Sequence, residues 1–340
     1  MRTSDFDYAL PADRIAQQPA EPRDSSRLLV VPRREGSLSH AVFRDLPDHL
    51  RPGDLIVVNV TRVLPARLPA RKASSRGKAE LLLVRRVEAQ VWETLIGGRR
   101  IGPGVRLDLP DGSSAEVLED LGGARRLIRF DRPVSPRLGR IGETPLPPYI
   151  HETLVNPERY QTVYGRIAGS VAAPTAGLHF TPGLIARLRD MGVAWAEVTL
   201  HIGLDTFAPV EEEDPNRHPI HSEWCQVGEE TVAAVRRARR DGGRIVAVGT
   251  TTVRALETAA LQATPEEILR PFEGPTRLFI TPPFDFRAVD VLITNFHLPR
   301  SSLLMLVSAF AGRDRLLRAY QVAVEAGYRF YSFGDAMLVG

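Results

Sequence analysis

The sequence predicts an α/β protein: a large α/β domain, either a sheet or an irregular barrel, with an inserted small antiparallel β-barrel domain. Strand and helix patterns alternate after residue 151, which is typical of α/β folds. Residues 67–136 instead contain short β-rich runs without a convincing helix, and a proline-rich run follows them. We therefore assign residues 1–66 and 151–340 to the large domain and residues 67–150 to the insertion.

The composition is that of an ordinary globular chain. Its 340 residues are 43% hydrophobic and 25% charged, enough apolar material for two domains. A single cysteine, Cys225, excludes an intramolecular disulfide and a cysteine-based metal cluster, and favours a reducing compartment. The sequence shows neither a signal-peptide pattern nor an apolar run of membrane-spanning length. These features predict a cytoplasmic protein without a membrane partner.

The insertion reads as a small antiparallel barrel or sandwich, because turn signals such as Pro-Asp-Gly-Ser separate its strands. Its predicted strands cover residues 79–86, 90–96, 105–109, 115–118 and 125–130. The run Thr-Pro-Leu-Pro-Pro-Tyr-Ile at 144–150 cannot form a regular helix, since proline lacks the backbone N–H. It suits a stiff linker that returns the chain to the large domain.

Repeated βα units in the large domain predict a mostly parallel sheet or an irregular barrel. Its predicted strands are residues 54–58, 195–202, 244–249 and 289–293, and its predicted helices are residues 182–191, 229–241, 255–261 and an apolar helix ending at 311. Thr181 caps the first helix, and Ser301 or Ser302 caps the last, because their side chains can accept hydrogen bonds from free backbone N–H groups. Gly242 and Gly312 follow two of these helices, as expected at helix ends.

Each predicted strand of the large domain is followed by polar residues that a purely structural strand does not need. In chain order these are Asn59, Thr61 and Arg62; His201, Gly203 and Thr206; Thr250, Thr251 and Arg254; and Asn295 and His297. Any one of them can simply cap a helix or tighten a turn. Because the carboxyl ends of parallel strands meet at one edge of a sheet, the set as a whole predicts an active site.

Other motifs are less specific. The run 173–181 combines Pro174, Gly177 and His179 before a helix and can direct backbone N–H groups at an anion. The spacing of His218 and His221 is loose for a metal site, and Pro219 between them disfavours one. The arginines of helix 229–241 can follow an RNA backbone or form a solvated basic face. No P-loop, dinucleotide or Ser-His-Asp motif occurs in the sequence, so the residues alone do not name the reaction.

At these residues the chain resembles the S-adenosylmethionine:tRNA ribosyltransferase-isomerase family of queuosine biosynthesis. The resemblance rests on ordered blocks at residues 10–16, 53–63, 145–150, 160–164, 173–180, 199–201, 206–207, 221–223, 248–254, 294–299 and 328–337. Three positions depart from the family pattern: Val60 replaces a polar residue, Asp205 a glycine and Arg300 an acid.

The resemblance implies a transferase that moves and isomerises the ribosyl moiety of S-adenosylmethionine onto the aminomethyl-deazaguanine wobble base of tRNA. The implied products are epoxyqueuosine-tRNA, adenine and methionine. S-adenosylmethionine is then a co-substrate, with no prosthetic group and no metal, and tRNA is the other partner, with no stable protein partner inferred. Adenine must be protonated to leave, the carbon beside the sulfonium must lose a proton, and the attacking amine must be neutral.

These demands suggest roles for the residues within the matching blocks. The predicted catalytic residues are His179, His201, His221, Glu223, His297 and Asp335. The predicted substrate-binding residues are Asn59, Thr61, Arg62, Thr175, Phe180, Thr250, Thr251, Arg254, Asn295 and Phe296. Phe180, Phe207 and Phe296 can face the sulfonium or stack on a base, or they can belong to the core. In the insertion, Arg99 and Arg100 are predicted to grip the tRNA backbone.

Two alternatives remain open at this point. An enzyme of the same fold acting on a small nucleoside or an S-adenosylmethionine-derived metabolite predicts turnover without tRNA. A non-catalytic RNA-binding protein predicts tRNA retention without adenine release. The second is disfavoured because the polar residues gather at strand ends and do not form an aromatic and basic stripe.

Overall fold

The computed structural model describes residues 1–33, 36–203 and 210–340, which form two compact units. The larger unit contains Met1–Arg62, Pro148–Ile167 and Ala173–Gly340, and the smaller contains Val63–Pro147 and Ala168–Ala172. Domain boundaries at 67 and 150 stay predictions. Within the described residues, no helix has the length and apolar character needed to cross a membrane.

The strands are β1 (Arg27–Val31), β2 (Ser39–Val42), β3 (Leu55–Asn59), β4 (Thr61–Val63), β5 (Arg67–Lys72), β6 (Lys78–Arg86), β7 (Val91–Gly97), β8 (Arg106–Asp108), β9 (Ser114–Gly122), β10 (Arg125–Phe130), β11 (Ile167–Ser170), β12 (Ala194–Leu200), β13 (Glu223–Val227), β14 (Ile245–Val248), β15 (Phe272–Thr276), β16 (Val291–Asn295) and β17 (Ala336–Val339). The α-helices are α1 (Leu138–Ile141), α2 (Pro182–Asp190), α3 (Glu229–Arg240), α4 (Thr250–Leu261), α5 (Ser302–Ala311) and α6 (Arg313–Glu325).

The larger unit is built on a nine-stranded sheet in the order β15-β13-β12-β3-β14-β16-β17-β1-β2. The four central strands β12, β3, β14 and β16 are parallel, whereas β13 and β15 on one side and β17 on the other introduce antiparallel pairs. Two successive helices, α5 and α6, reverse the chain twice, so β17 runs opposite to β16. The predicted α/β sheet is confirmed, but the prediction that it is mostly parallel is wrong, because four of its eight strand pairs are antiparallel.

The centre of this sheet is apolar on both faces. All residues of β3, β14 and β16 are buried, as expected for parallel strands covered on both sides. Val58, Val248 and Ile293 pack with Phe180 and Leu184 from the segment around α2 in one core cluster. The polar residues at the ends of these strands therefore stand on a rigid support.

Helix ends follow the predicted capping. Thr181 Oγ1 accepts a hydrogen bond from Leu184 N (3.2 Å) at the start of α2, and Ser301 Oγ accepts one from Leu304 N (3.1 Å) at the start of α5. Helix α4 begins at Thr250, earlier than predicted, because burial of its threonines outweighs their low helix propensity. Thr250 and Thr251 thus lie in the first turn of a helix.

The smaller unit is a closed antiparallel barrel in the order β10-β7-β6-β5-β8-β9, and its predicted strands are confirmed. The prediction omitted β5, which contains Pro69. The proline is tolerated because β8 pairs only with Arg71 and Lys72 of β5, so the lost N–H breaks no ladder bond to β8. Leu68, Leu81, Leu107, Val117, Ile128 and Phe130 help fill the barrel interior. A separate two-stranded sheet consists of β4 and β11.

Candidate active site

A cavity lies at the carboxyl ends of β14 and β16 in the larger unit. Of the residues predicted to form the site, the lining includes Thr175, Thr250, Thr251, Asn295, Phe296 and His297. The rest of its wall is formed by Tyr149, Ala173, Pro174, Ala176, Ile202, Gly249, Thr294, Leu298, Ser301, Leu303, Tyr331 and Ser332. The cavity occupies the position where open α/β sheets usually bind ligands.

His179 and Asn295 form a buried network at one side of this cavity. Ser26 Oγ lies 2.8 Å from His179 Nδ1, and Asn295 Nδ2 lies 3.3 Å from His179 Nε2. Thr175 Oγ1 donates to Asn295 Oδ1 at 3.0 Å. Burial, and then the charges of nearby arginines, lower the pKa of His179 to about 3. Its neutral imidazole therefore accepts from Asn295 and fixes the orientation of that amide.

His297 lies in the cavity wall itself and is 8% exposed. Its Nε2 lies 2.8 Å from Thr294 Oγ1, and its backbone N–H donates to Tyr320 Oη at 2.9 Å. Tyr8 Oη donates to the carbonyl oxygen of His297. Burial lowers the pKa of His297 to about 3, so the side chain is neutral near pH 7. Its unprotonated imidazole is therefore available to the cavity as a hydrogen-bond acceptor.

The loop beside His179 needs a glycine. Residues Thr175–His179 form a short 3₁₀ helix, and a Cβ atom at Gly177 would lie 2.0 Å from Tyr164 Oη. Gly249, at the junction of β14 and α4, has φ +87°, which side-chain-bearing residues rarely adopt. Gly177 thus allows a close approach to Tyr164, and Gly249 allows the backbone turn from β14 into α4.

Asn59 joins three elements at the end of β3. Its Oδ1 accepts from Thr61 N (3.1 Å) and Leu200 N (3.1 Å), while its Nδ2 donates to Leu200 O (2.9 Å) and Thr251 Oγ1 (3.3 Å). All four bonds are to groups of the protein, and the side chain is fully buried. Asn59 thereby ties β3 to β12 and to the first turn of α4.

His201 follows β12 and is held by two contacts. Its Nδ1 lies 2.9 Å from Thr61 Oγ1, and its ring stacks on Trp224 with centroids 5.2 Å apart. Burial lowers the pKa of His201. The histidine thus sits one residue from Ile202, which lines the cavity.

Glu223 and Arg254 form a buried ion pair next to His221. His221 Nε2 lies 3.1 Å from Glu223 Oε1, which also accepts from Gly203 N at 3.0 Å, and Arg254 Nη1 contacts Glu223 Oε2. Burial alone would raise the pKa of Glu223, but the hydrogen bond from His221 and the charge of Arg254 together lower it. Arg254 Nε donates to Leu278 O at 3.1 Å, whereas its Nη2 is buried without a partner among the described residues.

Four other predicted residues lie away from the cavity lining. Arg62 pairs with Glu158 at 2.5 Å. Phe180 is fully buried in the core, with its ring centroid 5.0 Å from that of Phe43. The carboxylate of Asp335 accepts from Arg27 N (3.0 Å) and from Arg329 N (2.8 Å). Asn59 belongs to the network described above. For Phe180 and Asp335 these contacts indicate a structural part, because core packing and backbone hydrogen bonds occupy their side chains.

Arg99 and Arg100 lie in the exposed turn after β7 of the barrel. Lys72 Nζ donates to the carbonyl oxygens of both residues, at 3.1 Å for Arg100. Among the described residues, neither guanidinium is ion-paired with a carboxylate. Thr206 and Phe207, also named from the sequence, lie outside the described residues, as does Asp205.

The sequence did not single out several residues of the cavity wall, notably Tyr149, Tyr331 and Ser332. Tyr149 belongs to the proline-rich run and Tyr331 lies in the block at 328–337, so both lie in family blocks. No spacing pattern in the sequence identifies them, because only the tertiary fold brings them to the cavity. In residues 1–33, 36–203 and 210–340, no three His, Cys, Asp or Glu side chains are grouped so that they could hold a metal ion.

Comparison with known proteins identifies the family. Residues 3–339 match the family model described as "Queuosine biosynthesis protein". The S-adenosylmethionine:tRNA ribosyltransferase-isomerase of Symbiobacterium thermophilum is 53% identical over 343 residues, and that of Moorella thermoacetica is 52% identical over 344 residues; both alignments cover 100% of each chain.

A solved structure agrees with these relatives. The crystal structure of S-adenosylmethionine tRNA ribosyltransferase from Thermotoga maritima matches with a TM-score of 0.58 and 43% identity, covering 99% of this chain and 100% of that one. The family model, the full-length relatives and the solved structure all indicate one family, which is the family that the sequence resembles. The chain belongs to the queuosine biosynthesis family of S-adenosylmethionine:tRNA ribosyltransferase-isomerases.

Proposed function

We propose that this protein transfers and isomerises the ribosyl moiety of S-adenosylmethionine onto the aminomethyl-deazaguanine wobble base of tRNA. The products are epoxyqueuosine-tRNA, adenine and methionine. The observation that best supports this is the cavity at the ends of β14 and β16, where neutral His297 and the amide of Asn295 face an otherwise largely apolar wall. Relatives named for this enzyme match the whole chain.

The reaction begins with loss of a proton from the carbon beside the sulfonium. We assign this proton to His297, because its imidazole lies in the cavity wall and is unprotonated near pH 7. The C–H bond breaks, the proton passes to the imidazole and the electron pair stays on the carbon. His179 supports this step indirectly by orienting Asn295.

Adenine leaves when the bond between its ring nitrogen and the ribose breaks and the ring takes up a proton. The pair of His221 and Glu223 lies beside Gly203, one residue from the cavity-lining Ile202. An imidazole next to an ionised carboxylate can carry that proton, so we assign the acid role to His221 and the positioning role to Glu223. His201, held by Thr61, is the remaining candidate for proton transfer.

Polar side chains of the wall provide hydrogen bonds to the nucleoside. We assign Thr175, Thr250, Thr251 and Asn295 to the adenine and ribose, and Phe296 to apolar contact with them. The unpartnered Nη2 of Arg254 suits the carboxylate of the methionine part.

The tRNA offers its target base in a single-stranded anticodon loop, which costs less to splay than a base in a duplex. Arg99 and Arg100 of the barrel are assigned to the phosphate backbone, because both guanidinium groups lie in an exposed turn. A cytoplasmic location completes the proposal, as predicted from the sequence.

The decisive experiment mixes the purified protein with S-adenosylmethionine and tRNA carrying the aminomethyl-deazaguanine base. Adenine is followed by chromatography and the tRNA nucleosides by mass spectrometry. Adenine release that depends on this tRNA, with the mass gain of epoxyqueuosine, is the expected result. Adenine release without tRNA would favour a small-molecule enzyme, and tRNA binding without adenine release would favour a binding protein.

A further inference from the structure

Two tyrosines from distant parts of the larger unit form a stacked pair in the cavity wall. The ring centroids of Tyr149 and Tyr331 are 4.6 Å apart with an interplanar angle of 25°, and both residues line the cavity. Tyr149 Oη lies 2.7 Å from Ser332 Oγ, which fixes the outer end of the first ring. The pair is therefore held in place before any ligand arrives.

The backbone of Tyr331 is held in an uncommon conformation. Its φ is +69°, in the left-handed region that bulky residues rarely adopt. The Tyr331 N–H donates to Phe296 O (3.1 Å), and its carbonyl accepts from Asn295 Nδ2 (3.3 Å) and Gly334 N (3.0 Å). Such conformations concentrate at ligand sites, where the surrounding structure enforces them. Here three hydrogen bonds direct the Tyr331 ring to the cavity.

The absence of formal charge among the described residues of the cavity wall affects which ligands it can bind. Among the described residues that line it, none is Asp, Glu, Lys or Arg. His297 is neutral there because burial lowers its pKa to about 3. A cation that enters the cavity meets aromatic ring faces, hydroxyl oxygens and amide oxygens of the lining residues. The negative faces of aromatic rings attract onium cations most strongly where water is excluded.

We propose that the Tyr149–Tyr331 stack is the subsite that holds the sulfonium group of S-adenosylmethionine by cation–π attraction. This inference rests on the proposed function. A ring face stabilises the sulfonium without placing a full negative charge beside it. The neighbouring C–H bond thus keeps the acidity that proton transfer to His297 requires, and Tyr149 and Tyr331 act as positioning residues.

The test compares two ligands that differ in charge. S-adenosylmethionine carries the sulfonium, whereas S-adenosylhomocysteine is the neutral thioether. Their Kd values are measured by titration calorimetry with the wild type, Tyr149→Phe and Tyr149→Leu. We expect Tyr149→Leu to weaken S-adenosylmethionine binding about tenfold more than S-adenosylhomocysteine binding, which corresponds to about 1.4 kcal/mol. Tyr149→Phe keeps the ring and should retain most of the preference for the sulfonium.

Phe284→Leu is the matched control, because Phe284 also belongs to an aromatic pair but does not line the cavity. It should leave both Kd values unchanged. Equal weakening of both ligands by Tyr149→Leu would overturn the proposal, since it would show that the ring stacks on adenine or only fills space. If the folded wild type binds neither ligand in the presence of the tRNA substrate, the proposed function itself fails.

A second series covers the case in which Tyr149→Leu does not fold. Increasingly fluorinated phenylalanines at position 149 preserve the ring shape while weakening its negative face. The Kd for S-adenosylmethionine should then rise stepwise with fluorination while that for S-adenosylhomocysteine stays constant. Affinities for the sulfonium that do not depend on fluorination would refute a cation–π subsite.

Discussion

At the residue scale, burial decides what the histidines can do. The sequence placed His179 and His297 in the candidate site by their positions after a loop and a strand. The structure shows that both are buried and that their pKa values fall to about 3. Each is therefore a neutral hydrogen-bond acceptor near pH 7, whereas His221 is tied to the ionised carboxylate of Glu223.

His297→Ala tests the general base. Removing the imidazole should lower kcat by about 100- to 10,000-fold, the usual contribution of a positioned acid or base. Binding of tRNA should stay near that of the wild type, because His297 lies in the cavity wall of the larger unit. Single-turnover adenine release and filter binding measure the two effects. Turnover that matches the wild type would remove His297 from the mechanism.

The depressed pKa of His297 also predicts a pH dependence of stability. Between about pH 6.5 and 3 the unfolded chain binds a proton at this residue and the native state does not. Its neutral burial thus costs stability as the pH falls, by up to about 1.4 kcal/mol per pH unit. His297→Gln should flatten the decline in the free energy of unfolding below pH 6.5.

Urea denaturation at pH 7, 6, 5 and 4.5 measures this slope. The exposed His151 offers a control, His151→Gln, for the loss of a histidine as such. An identical slope for the wild type and His297→Gln would show that His297 binds protons equally in both states.

At the element scale, caps and helix starts set the cavity edge. Ser301 caps α5 and also lines the cavity, and its Oγ donates to Leu298 O at 2.8 Å. Thr250 and Thr251 lie in the first turn of α4 rather than in a preceding loop. The first turns of α4 and α5 thus contribute directly to the site.

Two cap variants separate stability from binding. Ser301→Ala and Thr181→Ala each remove an N-cap hydrogen bond and should each lower the free energy of unfolding by about 1 kcal/mol. Only Ser301→Ala should also raise the KM for S-adenosylmethionine, because Thr181 does not line the cavity. Urea unfolding and initial-rate kinetics report the two quantities. A KM change of equal size in both variants would mean that global stability, and not the cap, controls binding.

At the scale of the whole molecule, basic and acidic residues nearly balance in number, but their charges are unevenly distributed. The formal net charge is only +3, so it does not account for tRNA binding by itself. Within the barrel, the guanidinium groups of Arg85 and Arg125 are paired with Glu93, whereas those of Arg99 and Arg100 have no carboxylate partner among the described residues.

Salt dependence tests the tRNA grip. Each phosphate contact to a single strand contributes a slope of about −0.7 to the logarithm of affinity against the logarithm of salt. Arg99→Gln/Arg100→Gln should therefore reduce the magnitude of the slope by about 1.4 in fluorescence-anisotropy titrations. The matched control Arg237→Gln/Arg240→Gln removes two charges from exposed positions of α3. An equal reduction in the control would show a non-specific charge effect.

Much of the fold followed from local pattern. Thr181 and Ser301 were identified as caps because capping depends on a few neighbouring residues. β5 was missed because Pro69 is acceptable only where the neighbouring strand is short, which is a tertiary fact. The mixed direction of the sheet also depends on how α5 and α6 return the chain to β17.

The sequence by itself determined the family, the α/β class, the barrel and the polar residues at the strand ends, since these depend on periodicity, turn chemistry and ordered motifs. Only the tertiary structure decided which of those residues share a cavity, that Phe180 is core, and that Tyr149 stacks on Tyr331. It also decided the protonation of the buried histidines. The physical reason is that burial and long-range packing, which set both pKa and contact, arise between segments far apart in the chain.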